Sequence, residues 1–302
     1  MKIGIDLGGT KTEGILIDDT GKELARNRIK TEKNYDGTIG GIISIVKNFE
    51  TDFGDSKSVG IGMPGCVSTD SALVKNANSI WLNGKPFKKD LEKELNRLVN
   101  LENDANCFAL SEAVDGAGKD YQSIFGIIVG TGFGGALSFK KEIIEGANQI
   151  AGDWGHQPLP YPTKEEIETK INCPSMNCGR PLCAEQFMSG IGFKDVFNQK
   201  NNTNFSSEEI VKLDLDGDPR ANLELSLYED RMARLMAVMI GIFDPDAIIL
   251  GGGMSNIDRL YKNIPALIPK YTFSNKVITK VIKNFHGDSS GVRGAAWLWN
   301  NV

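Results

Sequence analysis

Gly4-Ile5-Asp6-Leu7-Gly8-Gly9-Thr10-Lys11-Thr12-Glu13-Gly14-Ile15-Leu16-Ile17-Asp18, near the start of the chain, reads as strand, glycine turn, strand. Ile3 to Leu7 is one apolar run and Gly14 to Ile17 another, so a hairpin is expected rather than a strand feeding a helix. Glycines at its tip let backbone N–H groups approach a ligand, because no Cβ intervenes. Thr10, Lys11 and Thr12 add hydroxyls and a cation, which suits phosphate oxygens. Asp6 fits beside that tip if a hydrated Mg²⁺ stands between carboxylate and phosphate. The stretch is not a Walker A loop: Thr10 separates Gly9 from Lys11, and a strand follows. Taken alone, it fits either a phosphate-binding hairpin or an ordinary tight turn with Lys11 in solvent.

The theme recurs. Ile124 to Val129 reads as a strand, Gly130-Thr131-Gly132-Phe133-Gly134-Gly135 as the turn, and Ala136 to Phe139 as the returning strand. The glycines match the dinucleotide fingerprint, but that fingerprint needs a helix next. A third glycine element, Gly251-Gly252-Gly253, follows the apolar strand Asp246 to Leu250 and precedes a helix capped at Ser255 or Asn256 and running to about Leu267. A strand end leading into a helix N-terminus is a common nucleotide edge; a closely packed connector is the alternative. Elsewhere the spacing predicts helices over Thr38 to Phe53, Phe87 to Leu98, Asp218 to Phe243 and Gly291 to Trp299. Core candidates on the long helix are Leu223, Leu225, Leu227, Met232, Leu235 and Met239.

A chain of 302 residues exceeds what one core usually serves, so two domains are expected. Its 40% hydrophobic and 24% charged residues are those of a soluble globular protein. A net charge of -5 argues against nucleic acid as a partner. No run is long and apolar enough to span a bilayer, and Met1 leads directly into the first strand, so neither a signal peptide nor an N-terminal DNA-binding module is expected. Five cysteines fit a metal site or free thiols better than a disulfide framework, and a cytoplasmic location is the expectation. Cys66 and Cys107 read as small buried hydrophobes.

Several motifs together resemble the ROK family of sugar kinases and regulators. They are Asp6-Leu7-Gly8-Gly9-Thr10-Lys11-Thr12, Leu101-Glu102-Asn103-Asp104-Ala105-Asn106, Gly130-Thr131-Gly132, Ala151-Gly152-Asp153-Trp154-Gly155-His156 and Leu250-Gly251-Gly252-Gly253. The stretches Lys75 to Gly84 and His286 to Trp299 are similar to the bacterial fructokinase/mannokinase branch in particular. The resemblance implies an α/β, actin-like ATPase (ribonuclease H-like) duplicated fold, with two domains around a cleft. Residues 1–115 plus 288–302 would form the small domain. Residues 116–287 would form the large one, with a zinc-binding excursion at 156–183. It further implies ATP-dependent transfer of the γ-phosphoryl to the 6-hydroxyl of a hexose, fructose first and mannose second, and a homodimer. Kinases for N-acetylglucosamine or glucose, and a non-catalytic sugar-binding regulator, are the alternatives.

A sugar kinase must take a proton from a hydroxyl while holding a triphosphate beside it. Asp104 is the candidate general base, at a strand-to-helix junction where the helix N-terminus favours a carboxylate. Asn103 can donate and accept to sugar hydroxyls; either residue also suits a helix cap. The resemblance gives Asn103 and Asp104 these roles and adds Gly65, Asn78, Asp153, His156 and Glu185 for the sugar. It implies ATP or phosphate contacts at Asp6, Gly8, Gly9, Thr10, Lys11, Thr12, Gly130, Thr131, Gly132, Gly251, Gly252 and Gly253. Asp153 stands where the family usually has Glu, a change that bears on sugar preference. Trp81 and Trp154 either pack on a sugar face or fill the core, core being the expectation.

His156, Cys173, Cys178 and Cys183 are candidate ligands for a structural Zn²⁺ of Cys₃His type. The family's usual Cys-x-Cys-Gly-x-x-Gly-Cys is altered here. Met176 occupies the first cysteine position and Leu182 replaces a glycine, so Cys173 would have to substitute from three residues earlier.

Overall fold

The computed structural model describes residues 1–56, 58–169, 171–175, 178–274, 276–287 and 290–299. Met176 and Asn177, and Asp288 and Ser289 at the expected domain boundary, lie outside the described residues. The chain divides into two compact units. The first is Met1–Lys119 with Lys141–Gln149 and Phe285–Val302; the second is Asp120–Lys140 with Ile150–Asn284.

In the first unit the sheet order is β3-β2-β1-β4-β7. Strand β1 (Lys2–Leu7) pairs antiparallel with β2 (Lys11–Ile17), which pairs antiparallel with β3 (Glu23–Lys30). On its other side β1 runs parallel to β4 (Val59–Met63), and β4 to β7 (Val99–Asn103). Ile3, Ile5, Leu7, Val59 and Ile61 are wholly buried, because parallel strands covered on both faces read as continuous apolar runs. Helix α1 (Tyr35–Phe53) starts at Asn34, whose side chain caps the Gly37 N–H, and packs Ile42, Ile45, Val46 and Phe49 on one face of the sheet. A small hairpin of β5 (Cys66–Val67) and β6 (Val74–Lys75) follows β4. Helix α2 (Phe87–Leu95) stops three residues short of the sequence expectation, because Asn96 turns left-handed and caps it. Helix α3 (Asp104–Val114) begins directly at the end of β7.

In the second unit, β8 (Ser123–Val129) pairs antiparallel with β9 (Phe133–Phe139) and parallel with β11 (Ala247–Gly251), which runs parallel to β12 (Lys280–Lys283). Each unit therefore carries an antiparallel hairpin followed by parallel strands, the duplication expected of the fold. The helices of this unit are α4 (Lys164–Glu168), α5 (Ala184–Met188), α6 (Gly190–Asn201), α7 (Ser207–Leu215), α8 (Pro219–Phe243) and α9 (Arg259–Leu267). Asp218 caps α8 and Pro219 stands at its first turn. Leu223 does not join the core: it is 61% exposed, while Leu225, Met232 and Leu235 are buried. The third glycine element also differs from expectation. Gly253–Asn256 is a 3₁₀ turn, and the α-helix starts only at Arg259.

Residues 141–149, expected with the middle of the chain, cluster instead with the first unit. The reason is local: Ile143, in the two-residue strand β10 (Glu142–Ile143), packs against Ile15, Ile17, Leu110 and Val292. The last helix, α10 (Ser290–Trp297), closes the same unit. It lies so near the sheet and α3 that a Cβ on Gly60 or Gly294 would collide with the carbonyl of Ala295 or Cys107. Cys107 is fully buried as expected; Cys66, in the short β5, is only half-buried.

Candidate active site

In the first unit, register alone builds the phosphate candidate. Leu7 pairs with Thr12, which leaves Gly8 to Lys11 as the turn, closed by Gly8 N–H donating to the Lys11 carbonyl at 3.0 Å. Gly8 and Gly9 are half-buried, and Thr10 and Lys11 are exposed at the tip. Thr12 is placed otherwise. Its hydroxyl is buried against the Thr31 hydroxyl at 2.8 Å, and Thr31 in turn donates to the Gly8 carbonyl. Thr12 therefore braces the turn from beneath.

Asp6, at the end of β1, sits in a field of negative charge. Burial, then the charges of Asp104 and Glu13, push its carboxyl up to about 6, with Arg28 opposing. Burial likewise raises Asp104, partly offset by backbone N–H groups. Excess negative charge of this kind is relieved by a divalent cation, so the donor set fits Mg²⁺ at Asp6.

Asp104 is the first residue of α3, and its Oδ1 accepts from the Ala105 N–H at 2.9 Å. Asn103 is the cap: its Oδ1 accepts the same N–H at 2.9 Å, while its Nδ2 donates to the Gly65 carbonyl at 3.3 Å. That bond ties the end of β7 to the turn after β4. Gly65 has φ +98°, and a Cβ there would press on the Lys75 carbonyl and the Ala77 backbone. So Gly65, Asn103, Asp104 and the 75–78 loop, with Asn78 exposed, are held as one group. Asn83, which the sequence did not single out, fixes that loop by bonding both the N–H and the carbonyl of Ala77, at 2.9 and 3.0 Å. Trp81 donates to the Thr38 hydroxyl at 2.9 Å and packs against the core.

In the second unit, Val129 pairs with Phe133, leaving Gly130-Thr131-Gly132 as a three-residue turn that strand β9, not a helix, follows. A cavity of about 700 Å³ opens beside it, lined by Gly130, Thr131, Gly190, Lys194, Ser207 and Gly253 among others. Gly252 does not line it, but its φ of +80° and its contact with the Val129 backbone set the course of the segment that does. Gly251 is buried within β11. The α6 and α7 walls, with Lys194 and Ser207, were missed in the sequence. Their only local signal is the small-residue run Ser189-Gly190-Ile191-Gly192, which lets Gly190 N–H reach the Gly130 carbonyl at 2.7 Å.

Glu185, in the first turn of α5, is 5% exposed. Its Oε2 accepts from the Phe133 N–H at 3.2 Å, and its Oε1 from the Ser175 hydroxyl at 2.5 Å. Asp153 is exposed, and Trp154 is buried edge-on to Phe125 at 4.8 Å, which makes it a core residue.

His156, Cys173, Cys178 and Cys183 do converge: one ligand atom from each lies within 4.8 Å of all the others. His156 Nδ1 is 3.5 Å from Cys183 Sγ. Burial works against the Cys178 thiolate, but the Arg180 N–H and the Cys183 and Cys173 thiols outweigh it and lower its pKa. Burial raises Cys173 and Cys183. Three thiols and one imidazole at this spacing fit a tetrahedral zinc, and Cys173 is the residue that completes the set.

The model of the ROK family matches residues 2–302. The N-acetyl-D-glucosamine kinase of Vibrio parahaemolyticus is 36% identical over 301 residues, 99% of either chain. That of Vibrio cholerae is 35% identical over 299 residues, again 99% of either chain. Among solved structures, the ROK hexokinase from Thermus thermophilus aligns with a TM-score of 0.85 over 98% of this chain and 97% of its own, at 24% identity. The two kinases at 35–36% identity correct the fructokinase/mannokinase branch read from Lys75 to Gly84 and His286 to Trp299: both are named for an N-acetylated hexose.

Proposed function

Because the chain belongs to the ROK family and is an ATP-dependent sugar kinase, we propose that it phosphorylates N-acetyl-D-glucosamine on the 6-hydroxyl. The observation that carries the sugar is full-length similarity to kinases of that name; fructose is not retained as the main substrate.

Asp104 takes the proton of the attacking hydroxyl. Its raised proton affinity suits a base that must hold that proton while the O–P bond forms and the γ-phosphoryl leaves ADP. Asn103 and Gly65, tied to one another, present donors and acceptors to the sugar ring, and Asn78 stands on the same braced loop. The Gly8 and Gly130 N–H groups close their own turns, so Gly9 and Thr10 in the first turn, and Thr131 and Gly132 in the second, are the ones to offer backbone N–H groups to phosphate oxygens. Bound at Asp6, Mg²⁺ would neutralise developing phosphate charge. His156, Cys173, Cys178 and Cys183 would hold zinc, which would pin the 161–183 excursion. No helix among the described residues is long and apolar enough to cross a membrane.

The test is a coupled assay with ATP and a panel of N-acetylglucosamine, N-acetylmannosamine, glucose, mannose and fructose. N-acetylglucosamine should give the highest kcat/KM. A higher value for fructose or mannose refutes the assignment, and binding without turnover of any sugar supports the regulator instead.

A further inference from the structure

Glu185 connects two parts of the second unit that have separate tasks. One of its oxygens takes the Phe133 N–H, the first residue of β9 and the one that closes the Gly130-Thr131-Gly132 turn. A Cβ on Gly132 would lie 3.3 Å from that same oxygen, so the carboxylate sits directly against the turn. The other oxygen takes the Ser175 hydroxyl at 2.5 Å, from the segment between Cys173 and Cys178. Ser175 is fixed there by its own carbonyl, which accepts the Cys178 N–H at 3.0 Å.

We propose that Ser175 is a positioning residue for the nucleotide, acting through Glu185 on the Gly130-Thr131-Gly132 turn. A buried carboxylate held by a donor on each oxygen has one orientation; with one donor gone it is left undersolvated and turns. Cys173 Sγ also lies 3.6 Å from the oxygen that Ser175 serves. A thiol at that distance is a weak donor at most, whereas the Ser175 hydroxyl bonds the oxygen directly. Ser175 is then the group that keeps Glu185 under the turn. Ser175 thus places a hydroxyl at the joint between the metal loop and the nucleotide cavity. The inference rests on the reading of that cavity as the nucleotide site.

Ser175→Ala and Ser175→Thr variants of the full chain test it. Zinc is measured by elemental analysis, affinity for a non-hydrolysable ATP analogue by calorimetry without sugar, and KM and kcat for both substrates. Ser175→Ala should keep wild-type zinc and bind the analogue about tenfold more weakly. Its KM for ATP should rise while kcat changes little, and Ser175→Thr should restore both. Wild-type nucleotide affinity in Ser175→Ala overturns the proposal. So does loss of zinc in step with loss of affinity, which would make Ser175 part of the metal loop only. If the wild-type chain binds the analogue but phosphorylates no N-acetylglucosamine, the sugar assignment fails alone; if it does not bind the analogue, both fail.

Discussion

The charge of Asp104 raises the proton affinity of Asp6, second only to burial among the causes that lift Asp6 to about 6. The carboxylate at the end of β1 and the one at the start of α3 thus share one electrostatic environment, though 97 residues separate them in the sequence. Two neighbouring carboxylates disfavour each other's ionisation. A divalent cation reverses that preference, and an unfolded chain does not feel it.

Asp6→Asn should therefore separate stability from activity. A carboxyl whose folded pKa exceeds its unfolded value binds the proton more tightly when folded, so stability falls as pH rises from about 4 to about 6. Removing the charge should stabilise the magnesium-free chain at pH 7.5 by roughly 1–3 kcal/mol, with a smaller gain at pH 4. Kinase activity should be lost. Denaturant unfolding of both proteins at the two pH values checks this; a destabilised Asp6→Asn at pH 7.5 contradicts it.

Asp104→Asn should fold normally and lose turnover by roughly 10²–10⁴-fold, with sugar affinity largely kept. Asparagine still accepts the Ala105 N–H, so the helix start is preserved. Coupled-assay kinetics beside calorimetric sugar binding check the split. Near-wild-type kcat would remove Asp104 as the base.

Protein purified without chelator should carry zinc in stoichiometric amount, and Cys178→Ser or Cys173→Ser should lose most of it. Loss of metal should expose the 161–183 excursion to proteolysis before the rest of the unit unfolds. Elemental analysis and limited digestion are the measurements, and a zinc-free wild-type chain that resists digestion there counts against a metal site.

Glu166 anchors a buried ion network. It accepts from Arg231 at 2.8 Å, from Arg234 at 2.7 Å and from the Thr163 N–H at 2.8 Å. Burial raises its carboxyl, but Arg234, the Thr163 N–H and Arg231 outweigh that and hold it down to about 2. Its contribution to stability is complete above the unfolded value of about 4.5 and disappears as pH falls through about 2. Glu166→Gln should cost roughly 1–3 kcal/mol at pH 7, because two buried guanidinium groups lose one carboxylate each while Arg231 keeps Glu224 and Arg234 keeps Asp230. The deficit should shrink between pH 4.5 and 2, which chemical denaturation across that range would show.

Gly252→Ala should destabilise by roughly 1–3 kcal/mol and weaken nucleotide binding, since the residue has φ +80° and lies against the Val129 backbone. Thermal unfolding with and without an ATP analogue reads both effects; an unchanged midpoint would mean the turn relaxes freely.

Both hairpins, the strand-to-helix junction at Asn103 and Asp104, and the long helix capped by Asp218 were legible in the sequence. Each is set by short-range chemistry: alternation or runs of apolar residues, glycines where the chain reverses, and a side chain that satisfies the first free N–H groups. Helix ends at Leu95 and Arg259, and the exposure of Leu223, were not legible, because a left-handed cap, a 3₁₀ turn and the direction of a helix face depend on neighbours.

What the sequence by itself determined is the repeated strand-turn-strand unit and the family. Tertiary structure alone decided that Cys173 completes the thiol cluster, that Thr12 lies beneath its turn, that Asp6 feels Asp104, and that α6 and α7 wall the cavity. The physical reason is range. Turns and caps are bonds between residues a few positions apart, whereas charge coupling, metal geometry and cavity walls arise only when distant segments are packed together.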